Sequence, residues 1–357
     1  MRVKINQLVE GCILKESVTS LSNKPIIQSS TVLSAQTLQV LKAFLIRDVY
    51  VEPFLESGLP FLPEEVVEDP TDVKKLDNSS FYEVYINTVK EYKLLFSNWQ
   101  AGVPIDISKI RSLIVPLIEI AFKEPHQIFD LHRYSTPEDY MYHHSVSVGI
   151  ISAYLGKKLH YKQGDYNQLA IAGFLADCGM AKIDPKILHN GGNLSSAEYN
   201  ELKQHPVLSY KMLEKLSLLK ESAKLAVLQH HERIDGSGYF LKISGEQLHP
   251  FGKIVALADV YHAMCCDKAY RQKKSPFVVI EEIAQDLFGK FDVQLVNLLT
   301  HEVAKLSIGT EVILSNNQIA KVIFIDDRYP TRPMVDINGS YIQLLKRKDL
   351  HIERIIN

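Results

Sequence analysis

Apolar and polar positions divide the chain into regions with different periodicities. Segments 81–100, 106–123 and 136–159 repeat apolar residues every three or four positions, and this spacing predicts amphipathic helices. The same pattern continues in shorter segments to about residue 307. Beyond it, alternating apolar residues separated by an Asn-Asn and a Gly-Ser turn predict short antiparallel strands. The two periodicities indicate a helical body followed by a small sheet.

The N-terminal region has a third character. Residues 1–55 combine short β-like stretches with one helix that starts after Ser34, a residue type that caps helix N-termini. Residues 56–79 are rich in proline, acids and serine, which favours a linker. The predicted fold class is mainly α: a multi-helix domain flanked by a small N-terminal α/β region and a C-terminal antiparallel β unit. The predicted parts are 1–55 (a regulatory α/β region), 56–79 (linker), 80–307 (helical domain) and 308–357 (C-terminal β subdomain).

Composition narrows the function classes. The chain has 357 residues, of which 46% are apolar and 23% charged, so a folded protein with a sizeable core is expected. A net charge of −2 argues against a protein that coats a nucleic-acid polymer, since such proteins are normally basic. The four cysteines form no CxxC pair, which favours a reducing cytoplasm, and no apolar run approaches the ~18 residues of a membrane span. We expect a cytoplasmic protein that does not enter membranes.

Two acidic residues lie inside strongly apolar segments. Asp177 interrupts the run AIAGFLADCGMAKI, and Asp259 interrupts IVALADVYHAM. A buried carboxylate without a partner either destabilises the fold or takes up a proton, and a bound cation removes both problems. Both acids are therefore candidates for metal binding.

Four histidines accompany these acids in the same predicted domain. They are His144 on the apolar stripe of segment 136–159, His205 before a proline, and the adjacent pair His230 and His231. Singly, each has a structural explanation, as a core histidine or as a residue at a helix end. Together, imidazoles and carboxylates form the ligand set of Fe, Mn or Zn. A carboxylate shared by two ions ~3.5–4 Å apart is suited to phosphoester hydrolysis.

Five ordered blocks of the sequence resemble a known family. HHSVSVG, ELKQHPVLS, HHERIDGSGYF, ALADVYHAM and CDKAYRQ are similar, in order and spacing, to the HD-GYP family of bacterial cyclic-di-GMP phosphodiesterases. That family is a branch of the HD superfamily of metal-dependent phosphohydrolases. The resemblance covers roughly residues 136–300 and implies an HD-type helical domain with a metal site in its core.

The resemblance also implies roles for individual residues. The implied metal ligands are His144, Asp177, His205, His230, His231 and Asp259, with Asp177 bridging two divalent ions. The implied substrate-binding residues are Gly238, Tyr239, Lys268 and Arg271, and the implied catalytic residues are Asp177, Lys268 and Arg271. Fe or Mn is the expected metal, with Zn and Ni as alternatives. Cyclic-di-GMP is the expected ligand, cyclic-di-GMP synthases are implied signalling partners, and a homodimer is left open.

Five positions depart from the family pattern. Ala176 stands where the histidine of the His-Asp pair belongs, and Met180 replaces a lysine that contacts phosphate. Tyr140 replaces a glutamate found in members with three metals, which favours two metals here. His262 replaces an aspartate, and Phe240 replaces the proline of the signature. Losing the ligand at 176 is expected to cost more than the ~10–100-fold typical of residues that only support ligands.

The sequence thus predicts a cyclic-di-GMP phosphodiesterase whose activity is impaired by Ala176. The resemblance implies hydrolysis through a hydroxide that bridges two metals, with linear pGpG or GMP as product. The alanine is compatible both with a natural degenerate member and with a deliberate His→Ala change in an active enzyme. The main alternative is an inactive module that binds cyclic-di-GMP or a protein partner. An HD phosphohydrolase of mononucleotides and a purely structural signalling domain are further alternatives.

Overall fold

The structure is a computed structural model. It describes residues 2–19, 25–44, 46, 48–57, 61, 63, 79–188, 194–267, 273–285 and 287–356. The chain forms two compact units, Met1–Ser79 and Ser80–Asn357. Among the described residues, no helix combines the length and the apolar character needed to cross a membrane.

The first unit is a small α/β structure. Its elements are β1 (Arg2–Lys4), β2 (Cys12–Leu14), β3 (Val18–Thr19), β4 (Pro25–Ile27), α1 (Ala35–Ala43) and β5 (Asp48–Leu55). β5 lies between β1 and β2 in an antiparallel sheet, and β3 pairs with β4. Ser34 caps α1 as predicted, because its Oγ accepts from the backbone N–H of Thr37 while the Thr37 hydroxyl accepts from that of Ser34. The predicted linker 56–79 lies largely outside the described residues.

The second unit is mainly helical. Its helices are α2 (Ser79–Gln100), α3 (Ile107–Ala121), α4 (Tyr140–Lys158), α5 (Gln163–Leu175), α6 (Pro185–Leu188), α7 (Ser196–Leu202), α8 (His205–Leu213), α9 (Glu221–Gln229), α10 (Pro250–Cys265), α11 (Pro276–Gln285) and α12 (Val293–Val303). α4 is the central helix, since its residues 143–156 are buried on every side. α3, α5 and α10 pack against it. The candidate ligands on α4 and α10 therefore lie deep in the unit.

Local polar contacts set where two of these helices begin. Asp106 caps α3, with its Oδ1 accepting from the backbone N–H of Ser108 at 2.8 Å and of Lys109 at 3.2 Å. The helix predicted from residue 136 begins instead at Tyr140. Asp139 accounts for the difference, because its Oδ1 accepts from the backbone N–H and the hydroxyl of Thr136, which closes a turn before the helix.

The chain ends in a five-stranded antiparallel sheet. Its strands are β6 (Glu311–Leu314), β7 (Ile319–Phe324), β8 (Met334–Ile337), β9 (Ser340–Gln343) and β10 (Ile352–Ile355), in the order β10-β6-β7-β8-β9. The sheet packs on α11, where Arg332 pairs with Glu281 at 2.5 Å and the Ser275 hydroxyl donates to the Ile352 carbonyl at 2.6 Å. Its buried side chains join the apolar core of the helices. The predicted fold class is confirmed, whereas the domain limits at 79/80 and 307/308 stay predictions.

Candidate metal centre

The two acids come from different elements and meet in the core. Asp177 follows the end of α5 and precedes a tight 3-10 turn, Cys178–Lys182. Asp259 lies in the middle of α10. Their side chains are only 12% and 8% exposed, so each carboxylate needs a strong partner.

Close backbone packing brings His205 opposite Asp177. A Cβ at Gly179 would lie 2.4 Å from the His205 carbonyl and from the Ser209 backbone nitrogen, so only glycine permits this contact. Ser209 locks the two segments together. Its hydroxyl accepts from the Gly179 N–H at 2.8 Å and donates to the Ala176 carbonyl at 2.8 Å.

Two histidines face the first oxygen of Asp177. The Nε2 atoms of His205 and His230 lie 3.1 Å and 3.5 Å from Asp177 Oδ1, and 3.2 Å from each other. Each Nδ1 points away, towards the carbonyl of Leu202 at 2.8 Å and of Val227 at 2.6 Å. Because Nδ1–H donates to these carbonyls, each Nε2 faces the carboxylate: when protonated it donates to Asp177, and once the proton is lost its lone pair is available to a cation.

A third histidine completes this group. Asp177, His205, His230 and His231 each offer a ligand atom, and these atoms lie within 4.8 Å of one another. We call these residues the four-ligand side. His231 also approaches the second acid, with its Nδ1 3.7 Å from Asp259 Oδ2.

The other oxygen of Asp177 belongs to a smaller group. His144, Asp177 and Asp259 form the three-ligand side, with their ligand atoms again within 4.8 Å of one another. His144 Nε2 lies 2.9 Å from Asp259 Oδ1 and 3.7 Å from Asp177 Oδ2. The two oxygens of Asp177 thus face the two sides separately, which is the arrangement of a carboxylate shared between two ions.

The electrostatics keep both acids ionised. Burial alone would raise the pKa of Asp177, but hydrogen bonds from His205 and His230 hold it well below its usual range. Burial also opposes ionisation of Asp259, whose pKa is nonetheless lowered, chiefly by the hydrogen bond from His144. The cluster therefore presents two negative charges in a buried position, which favours cation binding.

The pKa values of His230 and His231 are shifted in opposite directions. The pKa of His231 lies well below its ordinary value because of burial and the neighbouring charge of His230. Burial also acts to lower the pKa of His230, but its hydrogen bond to Asp177 and the charge of that acid outweigh burial and raise it. His231 is thus neutral and ready to act as a ligand, whereas a metal ion must displace a proton at His230.

The glycine-rich loop after α9 closes over the His231 ring. The Tyr239 ring stacks on the imidazole, with centroids 4.6 Å apart and planes 27° apart, and the Tyr239 N–H donates to the His231 carbonyl at 3.1 Å. Gly238 is required there, since a Cβ would lie 2.4 Å from the Glu232 Cα. The buried Glu232 fixes the far end of the loop by accepting from the backbone N–H groups of Leu241 and Lys242.

A family model matches the part of the chain that carries this site. Residues 118–295 match the family model described as HD domain. The chain contains an HD domain. The resemblance to the HD-GYP branch predicted from the sequence is confirmed by this family model together with the relatives below.

Two curated phosphodiesterases are similar to this chain at low identity. The chain is 26% identical over 243 residues to the cyclic di-GMP phosphodiesterase PA4108 of Pseudomonas aeruginosa, which covers 68% of this chain and 58% of the relative. It is 28% identical over 225 residues to the cyclic di-GMP phosphodiesterase PdeB of Borreliella burgdorferi, which covers 60% of this chain and 59% of the relative. The chain thus spans less than two thirds of the length of either relative.

A solved structure shares the fold. It is Bd1817, a HDG"Y"P protein from Bdellovibrio bacteriovorus, with a TM-score of 0.53 and 14% identity. The likeness covers 84% of this chain and 98% of that chain. At this identity it supports the fold of the HD domain and its surroundings only.

Two positions of the HD domain lack the expected polar group. Ala176 is buried at the end of α5 and offers a methyl group where a metal-binding imidazole is expected. Met180 packs against the apolar core. Lys182, two residues further on, does not replace the missing cation, because its Nζ donates to the Trp99 carbonyl at 2.6 Å.

The structure places most of the predicted site residues together. All six predicted ligands lie in the two groups, and Gly238 and Tyr239 lie beside them. Lys268 and Arg271 lie outside the described residues.

Sequence reasoning overlooked several neighbours of the site. His143, which precedes the candidate ligand His144, is buried, and its Nδ1 lies 2.9 Å from the Tyr85 hydroxyl. His262, read only as a departure, lies with its Nδ1 3.1 Å from that of His144. The rings of Tyr140 and His144 stack at 5.1 Å. His262 is one helical turn from Asp259 on α10, and that spacing was the available signal.

Proposed function

We propose that the HD domain holds two divalent metal ions, one on each side of Asp177. The observation that carries the proposal is the carboxylate of Asp177, whose Oδ1 faces His205 and His230 while its Oδ2 faces His144. His231 completes the four-ligand side, and Asp259 completes the three-ligand side. The mixed nitrogen and oxygen donors suit Fe or Mn, and they also accept Zn or Ni.

The proposed ligand is cyclic-di-GMP. The names of the two curated relatives support this choice, and the HHERIDGSGYF block places Tyr239 on the ring of a candidate ligand, His231. When bound, two divalent ions activate water for in-line attack on phosphorus and offset the charge of the phosphodiester. The residues of this chain hold the ligand atoms in position and keep both carboxylates ionised.

We further propose that turnover by this chain is impaired. The three-ligand side has one imidazole and two carboxylates, and Ala176 adds no donor to it. Met180 brings no cation to the site, and Lys182 is engaged elsewhere. These same observations favour a second function, that of a receptor that binds cyclic-di-GMP without hydrolysing it.

One reversion separates the two functions. The purified chain and its Ala176→His variant are loaded with Mn²⁺ or, without oxygen, with Fe²⁺, and the products from cyclic-di-GMP are separated as pGpG and GMP. Bound metal is counted in the same samples. We expect the variant to hold the second ion more tightly and to turn over at least ~100-fold faster, because a direct ligand is worth more than a supporting residue.

The matched control is Gln163→His, which adds an imidazole at the exposed first residue of the same helix, at the end far from Asp177. Hydrolysis restored by the change at 176 alone supports a phosphodiesterase silenced at one ligand. Binding of cyclic-di-GMP with no turnover in either protein supports the receptor. A chain that binds neither metal nor cyclic-di-GMP contradicts the proposal.

A further inference from the structure

A lysine lies at the edge of the metal centre, and no described residue gives it an acidic partner. Lys203 follows α7 and precedes His205 by two residues. Its Nζ lies 4.4 Å from the centroid of the Tyr199 ring and 5.3 Å from that of Tyr239. Within the described part of the chain, no carboxylate lies within 4.0 Å of this ammonium group.

Two rings keep this cation near the site. Tyr199 precedes Lys203 by one helical turn, so the two side chains share a face of α7. Tyr239 is the ring that stacks on His231. A cation above an aromatic face is attracted by the ring quadrupole by about 0.5–1 kcal/mol at exposed sites, which orients the ammonium group without neutralising it. Lys203 therefore brings an uncompensated positive charge next to a candidate metal ligand.

A positive charge at the edge of the metal centre is suited to binding phosphate. The resemblance to the HD-GYP family implies a phosphate-binding lysine at position 180, where this chain has a methionine packed on the core, and Lys182 donates to a backbone carbonyl. A lysine acts on phosphate as a mobile point charge, so it does not need the fixed geometry of an arginine fork.

We propose that Lys203 binds the phosphodiester anion of the cyclic dinucleotide held at the HD domain. The inference rests on the proposed function and deepens it. Tyr199 and Tyr239 hold the ammonium group ready, and the phosphate takes their place as its main partner when the dinucleotide binds. Lys203 thus supplies, from the segment before α8, the positive charge that Met180 does not.

The test measures binding rather than turnover. Binding of cyclic-di-GMP to the Mn²⁺-loaded chain is followed by calorimetry for Lys203→Met, Lys203→Arg and Lys211→Met. Lys211 is an exposed lysine of α8 and serves as the matched control. Bound Mn²⁺ is counted in each protein, so that a loss of metal is separated from a loss of phosphate binding.

We expect Lys203→Met to weaken binding about tenfold, in line with a lost hydrogen bond to a charged group. Lys203→Arg keeps the charge and should stay within about threefold of the unaltered chain, and Lys211→Met should bind unchanged. The difference between the methionine and arginine variants should shrink as salt rises from about 0.05 to 0.5 M.

Different outcomes overturn different statements. If Lys203→Met binds cyclic-di-GMP as tightly as the unaltered chain, the inference fails and the proposed function stands. If both Lys203 variants weaken binding equally while Mn²⁺ content falls, the lysine only supports the fold near His205 and the inference also fails. If the unaltered chain binds Mn²⁺ but no cyclic-di-GMP, the proposed ligand and the inference fail together.

Discussion

The two sides of Asp177 are built from the same residue types but differ in completeness. On the four-ligand side, His205 and His230 are each anchored through Nδ1 to a backbone carbonyl. On the three-ligand side, His144 is anchored to another imidazole, that of His262, and Ala176 contributes no donor. One carboxylate thus belongs to a group of four ligands with two backbone-anchored histidines on one side and to a smaller group of three ligands on the other. The comparison teaches that two departures from the family pattern, Tyr140 and His262, both contact the one histidine of the three-ligand side.

The largest expected effect is from Asp177→Asn, because this carboxylate belongs to both sides. An amide is neutral and offers one oxygen, so both ions lose a charged ligand at once. We expect Mn²⁺ content to fall from two ions per chain, or from one tightly bound ion, to nearly none. Equilibrium dialysis followed by metal analysis measures this, and affinity should fall by more than ~100-fold.

A surface acid provides the control for that substitution. Asp165 pairs with Lys220 at 2.8 Å away from the cluster, so Asp165→Asn should leave Mn²⁺ content unchanged. Circular dichroism shows whether Asp177→Asn is folded. A folded Asp177→Asn protein that retains all its Mn²⁺ would mean that Asp177 is not shared between ions.

Asp259→Asn should have a smaller effect and should separate the two sides. Asp259 Oδ1 lies 2.9 Å from His144 Nε2, whereas the four-ligand group is complete without it. We expect the weaker ion to be lost and the tighter ion to remain within about tenfold of its original affinity. Dialysis over a range of Mn²⁺ concentrations resolves the two classes. Equal loss from both would show that the two sides are one site.

Much of this cluster is predictable from the sequence because its residues stand out from their immediate sequence neighbours. Asp177 and Asp259 stand out inside apolar runs, and His205 stands before a proline that starts a helix. Hydrophobic periodicity likewise predicts the long helices and the C-terminal strands.

The rest depends on contacts between distant segments. His262 and His144 are separated by 118 positions, and Glu232 holds backbone groups nine and ten residues away through a loop. The sequence pattern predicts the start of α4 too early, at residue 136, because it does not show that Thr136 bonds to Asp139 before the helix begins at Tyr140. Lys203 escaped notice because its significance comes from Tyr239, 36 positions later. Local pattern cannot show which oxygen of Asp177 faces which imidazole.

Acidity should act on the four-ligand side through His230. Its pKa in the folded, metal-free chain is raised above the ordinary 6.5, because the hydrogen bond and charge of Asp177 outweigh burial. The His230–Asp177 pair therefore stabilises the metal-free fold fully below about pH 6.5, and this contribution is lost as pH rises through the raised pKa. Metal binding displaces the proton, so Mn²⁺ affinity should rise by up to ~10-fold per pH unit in that window.

Thermal unfolding with and without Mn²⁺ tests this from about pH 6 to pH 8. We expect the Mn²⁺-induced increase in melting temperature to grow as pH rises, because a smaller fraction of His230 then carries the proton that the metal must displace. The same scan with EDTA is the control. A Mn²⁺-induced increase that is constant, or larger at the acidic end, would show that no proton is displaced from this side.

The smallest expected effect is from His262→Asn, which changes how one ligand of the three-ligand side is held. When His144 binds a cation through Nε2, its Nδ1 carries the proton and donates to His262 Nδ1, 3.1 Å away. A shorter asparagine loses this contact, so the ring of His144 is less well oriented. The weaker Mn²⁺ ion should bind about tenfold less tightly, the lower end of what supporting residues contribute, while the tighter ion is unaffected. His262→Asp, which restores an acceptor at this position, should recover part of the loss, because a carboxylate also accepts from Nδ1–H. If both variants instead lower the affinity for the more tightly bound Mn²⁺ ion, His262 supports the packing of α10 as a whole. The two sides of Asp177 then depend on the same helix packing.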